Sequence, residues 1–447
     1  MRLRPPIAAL VLLTLGLPPF RASASAAAEP TAPATRELSS ALVPRLAPLR
    51  ALADAKDFPA ALALVAPLLA AAPAESYDLV ALSLLRAQFL LAQDSADPAA
   101  IAPLETALRL GDTRGLLAPS QTADVLLLLA QLHARQTPPA DGLSRATECA
   151  RRYLALVPQP PADALRLAAT VFFSAAQAAA APDRALLAEA RDTARRGLAL
   201  DRAPDPAFFL VLAAAQTALG ETADAASTLE LIVARDPGQR DCWAQLYAAY
   251  LGLASAAKDD AAVRRYHLRA LLTLERAQAN HFLNSPAENF ARAALAFNLG
   301  QPAQTLTLLE SGLRDGTIAA DRPAWELLAA AARQSHQEER ALTALQAAAA
   351  ARTTDGRLDF ALGQLCYSLG HLPDARASLR AAVAKGGLDQ PGRAALLLAW
   401  LACDARDFAD AARWLADAAG RPDTPPDELA RLRRAVADAG PVRPATP

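Results

Sequence analysis

The chain has 447 residues, 53% of them hydrophobic and 20% charged, with a formal net charge of −1. That length exceeds what a single compact core supports. The near balance of charge leaves no basic footprint for nucleic acid and no polyanionic tail. Alanine dominates the apolar fraction, and neither β-branched clusters nor period-two alternation appears, so helix is the element that fits.

Taken in chain order, the first element is an export signal. Arg2 and Arg4 precede an apolar run from Ile7 to Leu17, Pro18 and Pro19 break it, and Ala22-Ser23-Ala24-Ser25-Ala26 supplies small residues for cleavage. The run is short for a bilayer span, so a cleaved signal over 1–26 is preferred to a retained anchor, with the cut after Ala24, Ala26 or Ala28. Loss of Arg2, Arg4 and Arg21 takes the charge from −1 to about −4. No cysteine lies near the cut to carry lipid, and no later stretch reads as a transmembrane segment. A Pro/Ala/Thr-rich stretch within 27–37 reads as a flexible leader.

Helix pairs follow. The first covers about 38–73, with Phe58, Ala61, Val65 and Leu68 in its second helix. Others are expected near 75–111, 120–158 and 162–204, so that 38–204 forms a less regular block. From 205 to 420 the pattern is regular, recurring every ~34 to 36 residues. Gly220, Ala225 and Leu229 have the spacing of Gly370, Ala375 and Leu379. Units at 206–237, about 243–277, 286–316, 322–352, 356–387 and 392–420 carry the phrase, the second of these with an insertion around Ala254–Val263. A helix within 421–440, rich in arginine and aspartate, reads as a solvating cap, and 441–447 as a disordered tail.

The spacing has a physical cause. Two short antiparallel helices cannot bury both apolar faces alone, so each pair needs neighbours. Small residues such as Ala213, Gly363, Ala225 and Ala375 mark where backbones approach, and Gly220 and Gly370 supply left-handed turns. Trp325, Leu328 and Leu362 occupy core positions. The whole is similar to the tetratricopeptide repeat, read from Phe209, Leu212, Ala213, Gly220, Ala225, Leu229 and Pro237. The resemblance implies an all-α, right-handed superhelical α-solenoid of about ten helix pairs with a C-terminal capping helix.

No motif for catalysis is found. There is no His-Glu-x-x-His, no Cys-x-x-Cys, no phosphate-cradling glycine loop and no Gly-x-Ser-x-Gly elbow. His133, His267, His281, His336 and His371 are scattered and read as surface or helix-end residues, Lys258-Asp259-Asp260 as a solvated turn, and Glu338-Glu339 as a helix start. Cys149, Cys242, Cys366 and Cys403 read as buried free thiols, with a Cys366–Cys403 bond as the lesser alternative. The only three lysines, Lys56, Lys258 and Lys385, and the many arginines are read as compositional bias. The chain is therefore expected to be no enzyme, with no cofactor and no metal.

What remains is a surface for binding. In tetratricopeptide arrays the first helix of each pair lines a groove. The resemblance places there Phe290 and Phe297, Glu326 and Arg333, Arg357, Phe360, Gln364 and Tyr367, and Arg393 and Trp400. Aromatic and arginine side chains commonly anchor interfaces, and guanidinium groups could pair with carboxylates or a chain terminus of a partner segment. The competing reading of each aromatic is ordinary packing between repeats.

A narrower resemblance lies within Trp243–Ala419. The phrases Leu283-Asn284-Ser285-Pro286-Ala287-Glu288, Phe297-Asn298-Leu299-Gly300-Gln301-Pro302, Leu309-Glu310-Ser311-Gly312-Leu313-Arg314-Asp315-Gly316-Thr317-Ile318, Trp325-Glu326-Leu327-Leu328 and Ala384-Lys385-Gly386-Gly387-Leu388 resemble the periplasmic repeat proteins associated with TonB, ExbB and ExbD. This implies a periplasmic, non-catalytic scaffold accessory to a TonB-type energy-transduction complex, binding a protein or peptide segment, with no nucleic acid and no stable membrane span after processing. An outer-membrane assembly or secretion adaptor is the alternative. The helical domain of a cell-wall hydrolase is a more distant one.

Overall fold

A computed structural model describes residues 36–136, 139–178, 181–200, 202–351 and 355–438. The expected signal at 1–26, almost all of the leader at 27–37 and the tail at 441–447 lie outside the described residues. Among the described residues there is no strand, and the fold is all-α, each unit a stack of antiparallel helix hairpins. The helices come in ten successive pairs: α1 (Val43–Asp54) with α2 (Phe58–Ala71), α3 (Tyr77–Gln93) with α4 (Ile101–Arg114), and α5 (Pro119–His133) with α6 (Pro139–Leu156). Next are α7 (Ala162–Ala178) with α8 (Arg184–Leu198), α9 (Pro206–Leu219) with α10 (Thr222–Arg235), and α11 (Arg240–Ala256) with α12 (Asp260–Ala279). Last come α13 (Pro286–Asn298) with α14 (Pro302–Arg314), α15 (Arg322–Gln334) with α16 (Glu338–Ala351), α17 (Arg357–Ser368) with α18 (Leu372–Lys385), and α19 (Pro391–Asp404) with α20 (Phe408–Ala419). A single helix, α21 (Pro426–Asp438), follows.

The chain divides into two compact units between Thr228 and Leu229, inside α10. In the first unit, Leu104 of α4 and Leu126 and Leu129 of α5 share one buried cluster. Phe172 of α7 lies in a second and Phe208 of α9 in a third. In the second unit one continuous core runs from Leu306 and Leu309 through Leu328, Leu345, Leu358, Leu362 and Leu379 to Leu398 and Leu401. Each leucine meets its partners from the preceding or following hairpin, which is why no hairpin stands alone. Helix α21 closes this unit by laying Leu429, Leu432 and Val436 on Ala395, Leu396, Ala399, Leu415 and Ala418.

The turn inside a pair is built one way repeatedly. A residue with positive φ ends the first helix, and the next N–H bonds back to a carbonyl five residues earlier, as in Glu221→Gln216, Gln301→Ala296 and His371→Cys366. Glycine holds the left-handed position at Gly220, Gly300 and Gly370. Lys56, His336 and Arg406 hold it in three other pairs, with the same bond at Asp57→Leu52, Gln337→Ala332 and Asp407→Ala402. The glycine signal is thus absent from 322–352 and 392–420 while the turn is present. Some second helices then begin on side-chain caps: Asp57 accepts from the Ala60 N–H at the start of α2 and Asp407 from the Asp410 N–H at the start of α20.

Close approach is equally concrete. A Cβ on Gly363 would stand 2.6 Å from Leu379 Cγ, so α17 and α18 pack at a distance only glycine permits. Ala213, Ala225 and Ala375 are buried at comparable positions. The insertion expected around Ala254–Val263 is present. It is absorbed as helix, with α11 reaching 17 residues and α12 reaching 20, joined by Ala257–Asp259, where Asp259 caps α12 through the Ala262 N–H.

The arginines have a role that composition hid. On the second helices of successive pairs, guanidinium groups reach carboxylates one repeat away. Arg145 and Arg152 of α6 meet Glu105 and Asp112 of α4 at 3.1 and 2.7 Å, and Arg151 meets Glu189 of α8 at 2.7 Å. In the second unit Arg269 of α12 meets Glu230 of α10 at 3.3 Å, Arg340 of α16 meets Glu310 of α14 at 2.5 Å, and Arg380 of α18 meets Asp410 of α20 at 2.6 Å. The planar fork of arginine suits such bridges better than lysine does.

Candidate protein-interaction site

The second unit holds a cleft of about 340 Å³ between α15 and α17. Its lining comes from three sources. Helix α15 supplies Glu326, Ala329 and Arg333, helix α17 supplies Arg357, Phe360, Ala361, Gln364 and Leu365, and the α18–α19 connection supplies Leu388, Asp389 and Gln390; Leu345 of α16 reaches the floor. Alanines at 329 and 361 leave space between the two first helices that longer side chains would fill. Apolar floor and charged rim together make a surface suited to a protein segment more than to a small charged metabolite.

The α18–α19 connection is held by a specific backbone arrangement. Gly386 has φ 76° and ψ −161°, a conformation essentially confined to glycine, and Gly387 has φ 70°. The Gly386 carbonyl accepts the Gly356 N–H at 2.9 Å, and the Gly387 carbonyl accepts Arg357 Nε at 2.6 Å. Arg357 Nη2 also lies 3.3 Å from Asp389 Oδ1. Gly356 is itself obligatory, since a Cβ there would sit 2.1 Å from the Ala382 carbonyl oxygen. The connection is therefore stitched onto the start of α17, and its side chains become one wall of the cleft.

The expected groove residues separate into three groups. Glu326, Arg333, Arg357, Phe360 and Gln364 line the cleft together. Among them Arg357 already spends its guanidinium on the wall, whereas Arg333 is exposed, with no hydrogen-bond or ion-pair partner among the described residues. Tyr367 and Trp400 form an edge-to-face pair with centroids 5.2 Å apart and planes at 87°, and Trp400 remains 39% exposed. Arg393 of α19 donates from Nη1 to Gln390 Oε1 at 3.3 Å, while its backbone N–H and that of Gly392 are capped by the Asp423 carboxylate. Phe290 and Phe297 of α13 lie apart from the cleft, half-buried against the leucine core, which matches the packing reading of those two rings.

Leu388, Asp389 and Gln390 were not legible as cleft residues in the sequence, because they lie in the α18–α19 connection and not on a first helix. The adjacent glycines at 386 and 387 were the available signal: two consecutive glycines ending a helix require an unusual loop. Lys385, compositional bias by sequence alone, places its ammonium 2.9 Å from the Ala349 carbonyl near the end of α16. His133 ends α5, in keeping with a helix-end histidine, but it is buried. It is 2% exposed, with Nδ1 3.1 Å from Gln136 Oε1 and Nε2 3.3 Å from Glu105 Oε1. All four cysteines are free, so Cys366 and Cys403 are not bridged. Burial raises each thiol, Cys149 to about 11, which disfavours the reactive thiolate. Among the described residues no group of His, Cys, Asp and Glu is placed to hold a metal ion, and no helix is long and apolar enough to cross a membrane.

No family model and no curated protein matches the chain. Solved structures similar to it include a tetratricopeptide repeat protein from Parabacteroides merdae, at 14% identity over 63% of this chain and 99% of that one, with a TM-score of 0.30. Another is PilW, a type IV pilus biogenesis factor, at 18% identity over 51% and 98%, with a TM-score of 0.33. A third is PilF of Pseudomonas aeruginosa, at 16% identity over 55% and 98%, with a TM-score of 0.31. Likeness at this level assigns neither partner nor activity to this chain.

Proposed function

We propose that this chain is a non-catalytic protein-binding scaffold that grips a segment of another polypeptide in the α15–α17 cleft. The observation that carries the reading is the cleft itself: an apolar floor of Leu345, Leu365 and Ala361, a half-buried Phe360, and an uncommitted guanidinium at Arg333 beside the Gln364 amide. A side chain seated on Phe360 would bury its apolar part while Arg333 meets a carboxylate, the pairing a fixed arginine fork favours. The scaffold works by position: hairpins that contact only their neighbours tolerate strain, and a bound segment raises the local concentration of whatever is tethered to it.

The export signal read at residues 1–26 supports a periplasmic location, and the phrases between Leu283 and Leu388 support a role beside TonB, ExbB and ExbD. Purified periplasmic segments of TonB and ExbD, titrated against the full chain, should bind in the micromolar range. Arg333→Glu with Gln364→Lys, both exposed positions, should weaken binding at least about tenfold without changing the thermal melt. Binding that survives this double variant would remove the cleft from the proposal, and failure of every segment to bind would remove the TonB assignment. Fractionation of cells expressing the full chain tests the location directly.

A further inference from the structure

Helix α12 carries a second candidate surface, built on the second helix of its pair and independent of the cleft. At 20 residues, α12 is longer than the second helices on either side, α10 with 14 and α14 with 13. Matching Ala270 and Leu274 of α12 to Thr305 and Leu309 of α14 leaves residues 260–266 ahead of Pro302, with no counterpart in the next hairpin. The extra turns are therefore not needed to complete the stack.

The composition of this helix is segregated. Ala270, Leu271, Thr273, Leu274 and Ala277 are buried. Arg264, Arg265, Leu268, Arg269, Leu272 and Arg276 are exposed and fall along one helical stripe. Leu268 is 44% and Leu272 48% exposed, one turn apart, a placement that an ordinary solvated face avoids. From residue 264 to residue 276 the stripe runs about 18 Å.

The exposed charges of the stripe itself are arginines, with Glu230 of α10 paired to Arg269. Arg265 lies over the Tyr266 ring at 5.0 Å and Arg276 over the Trp243 ring at 5.4 Å, contacts that hold each guanidinium near the surface while leaving its charge uncompensated. Arg264 has no hydrogen-bond or ion-pair partner among the described residues, and Glu275 is turned to Arg292 of α13 at 3.2 Å. Asp260, the acid near the start of the stripe, sits in the first turn, where the helix dipole favours it. An apolar centre rimmed by arginines is the anatomy of a protein interface. With so little apolar area and no exposed aromatic ring on the stripe, it suits a protein better than a bilayer surface.

We infer that the outward stripe of α12, with Leu268 and Leu272 at its centre and Arg264, Arg265 and Arg276 around them, docks an acidic amphipathic helix of a partner protein. The leucines would accept the apolar face of that helix, and the guanidinium groups would pair carboxylates flanking it.

The test uses the full chain and a panel of synthetic helical peptides of about sixteen residues, each with a leucine face and glutamates flanking it. A matched panel replaces the glutamates with lysines, and anionic phospholipid vesicles serve as the third probe. Members of the glutamate panel should bind with dissociation constants below ~100 μM. Arg264→Glu with Arg265→Glu, and separately Leu268→Ser with Leu272→Ser, should each weaken that binding at least about tenfold, while Arg333→Glu in the cleft leaves it unchanged. Equal binding of the lysine panel, affinity untouched by the α12 variants, tighter association with vesicles than with any peptide, or no binding across the glutamate panel would each overturn the inference.

Discussion

Lys385 Nζ lies 2.8 Å from Asp359 Oδ2 and 3.0 Å from Asp359 Oδ1, tying the last residue of α18 to the first turn of α17. The same ammonium donates to the Ala349 carbonyl at 2.9 Å, so one side chain joins three helices of the second unit. Asp359 is 5% exposed, and removing one partner of a buried ion pair leaves the other charge without compensation. Replacing Lys385 with Met removes the partner and leaves the charge. We expect a loss of about 3 kcal/mol, read as a lower urea midpoint at unchanged slope. Lys385→Met combined with Asp359→Leu should recover much of it, because the buried charge is then gone as well.

The α17–α18 contact gives a second expectation. With a Cβ at Gly363 only 2.6 Å from Leu379 Cγ, Gly363→Val must push two helices apart or force Leu379 off its rotamer. The expected cost is about 1–3 kcal/mol, measured by thermal or chemical denaturation. Adding Leu379→Ala should relieve the overlap, so the double variant should be less destabilised than the sum of its single changes.

Arg406 offers a change of the opposite sign. Its φ of 59° puts an arginine in the left-handed region that Gly220, Gly300 and Gly370 occupy in other pairs. Arg406→Gly removes the Cβ clash while keeping the Asp407→Ala402 backbone bond, and should stabilise by about 0.5–1 kcal/mol. A melting temperature that falls instead would show that the arginine side chain outweighs its backbone strain.

Acid sensitivity should concentrate at Asp410. Burial would raise its carboxyl, but hydrogen bonds from Arg376, Arg380 and Trp414 Nε1 outweigh that and bring it down to about 2 from 3.8. A carboxyl depressed by folding stabilises fully above its unfolded value and loses that contribution as pH falls through its folded value, here between about pH 4 and 2. Asp410→Asn should lose on the order of 1–2 kcal/mol at neutral pH. Its stability should also change less than wild type's across that acid window, as followed by helical circular dichroism.

The bridges between second helices should respond to salt. Apart from Arg380–Asp410, whose carboxylate is buried, these pairs are at least partly exposed and each contributes about 0–1 kcal/mol, and a double-mutant cycle on Arg152 and Asp112 should fall in that range. Raising ionic strength from about 0.1 M to 1 M shortens the screening length roughly threefold and should lower the melting temperature modestly. An unchanged melt would mean that apolar stacking alone couples neighbouring repeats.

Much of the architecture was legible because it rests on local chemistry. A chain with alanine-rich helical periodicity, recurring Gly-to-Ala-to-Leu spacing and small residues such as Gly363 and Ala375 has few ways to bury itself except as stacked hairpins. The turns at His336 and Arg406 were not legible as such, since a left-handed residue other than glycine leaves no compositional mark. The stretch around Ala254–Val263 is legible as an insertion, but only the structure shows that its residues lengthen α11 and α12, because good helix formers do not mark where a helix stops.

The sequence by itself determined the class of structure: helices only, paired, and repeated at a period set by how much apolar face two short helices must share with neighbours. Tertiary structure alone decided which side chains meet. Glu326, Arg333, Phe360 and Gln364 converge on one cleft while Phe290 and Phe297 sink against the core. Arg357 is consumed by the Gly387 carbonyl, and Lys385 reaches Asp359 and Ala349. Periodicity places a residue on a helix face, but its partner lies some 30 residues away in another hairpin. Only the packing angle between hairpins sets whether charge and carboxylate arrive within hydrogen-bonding distance.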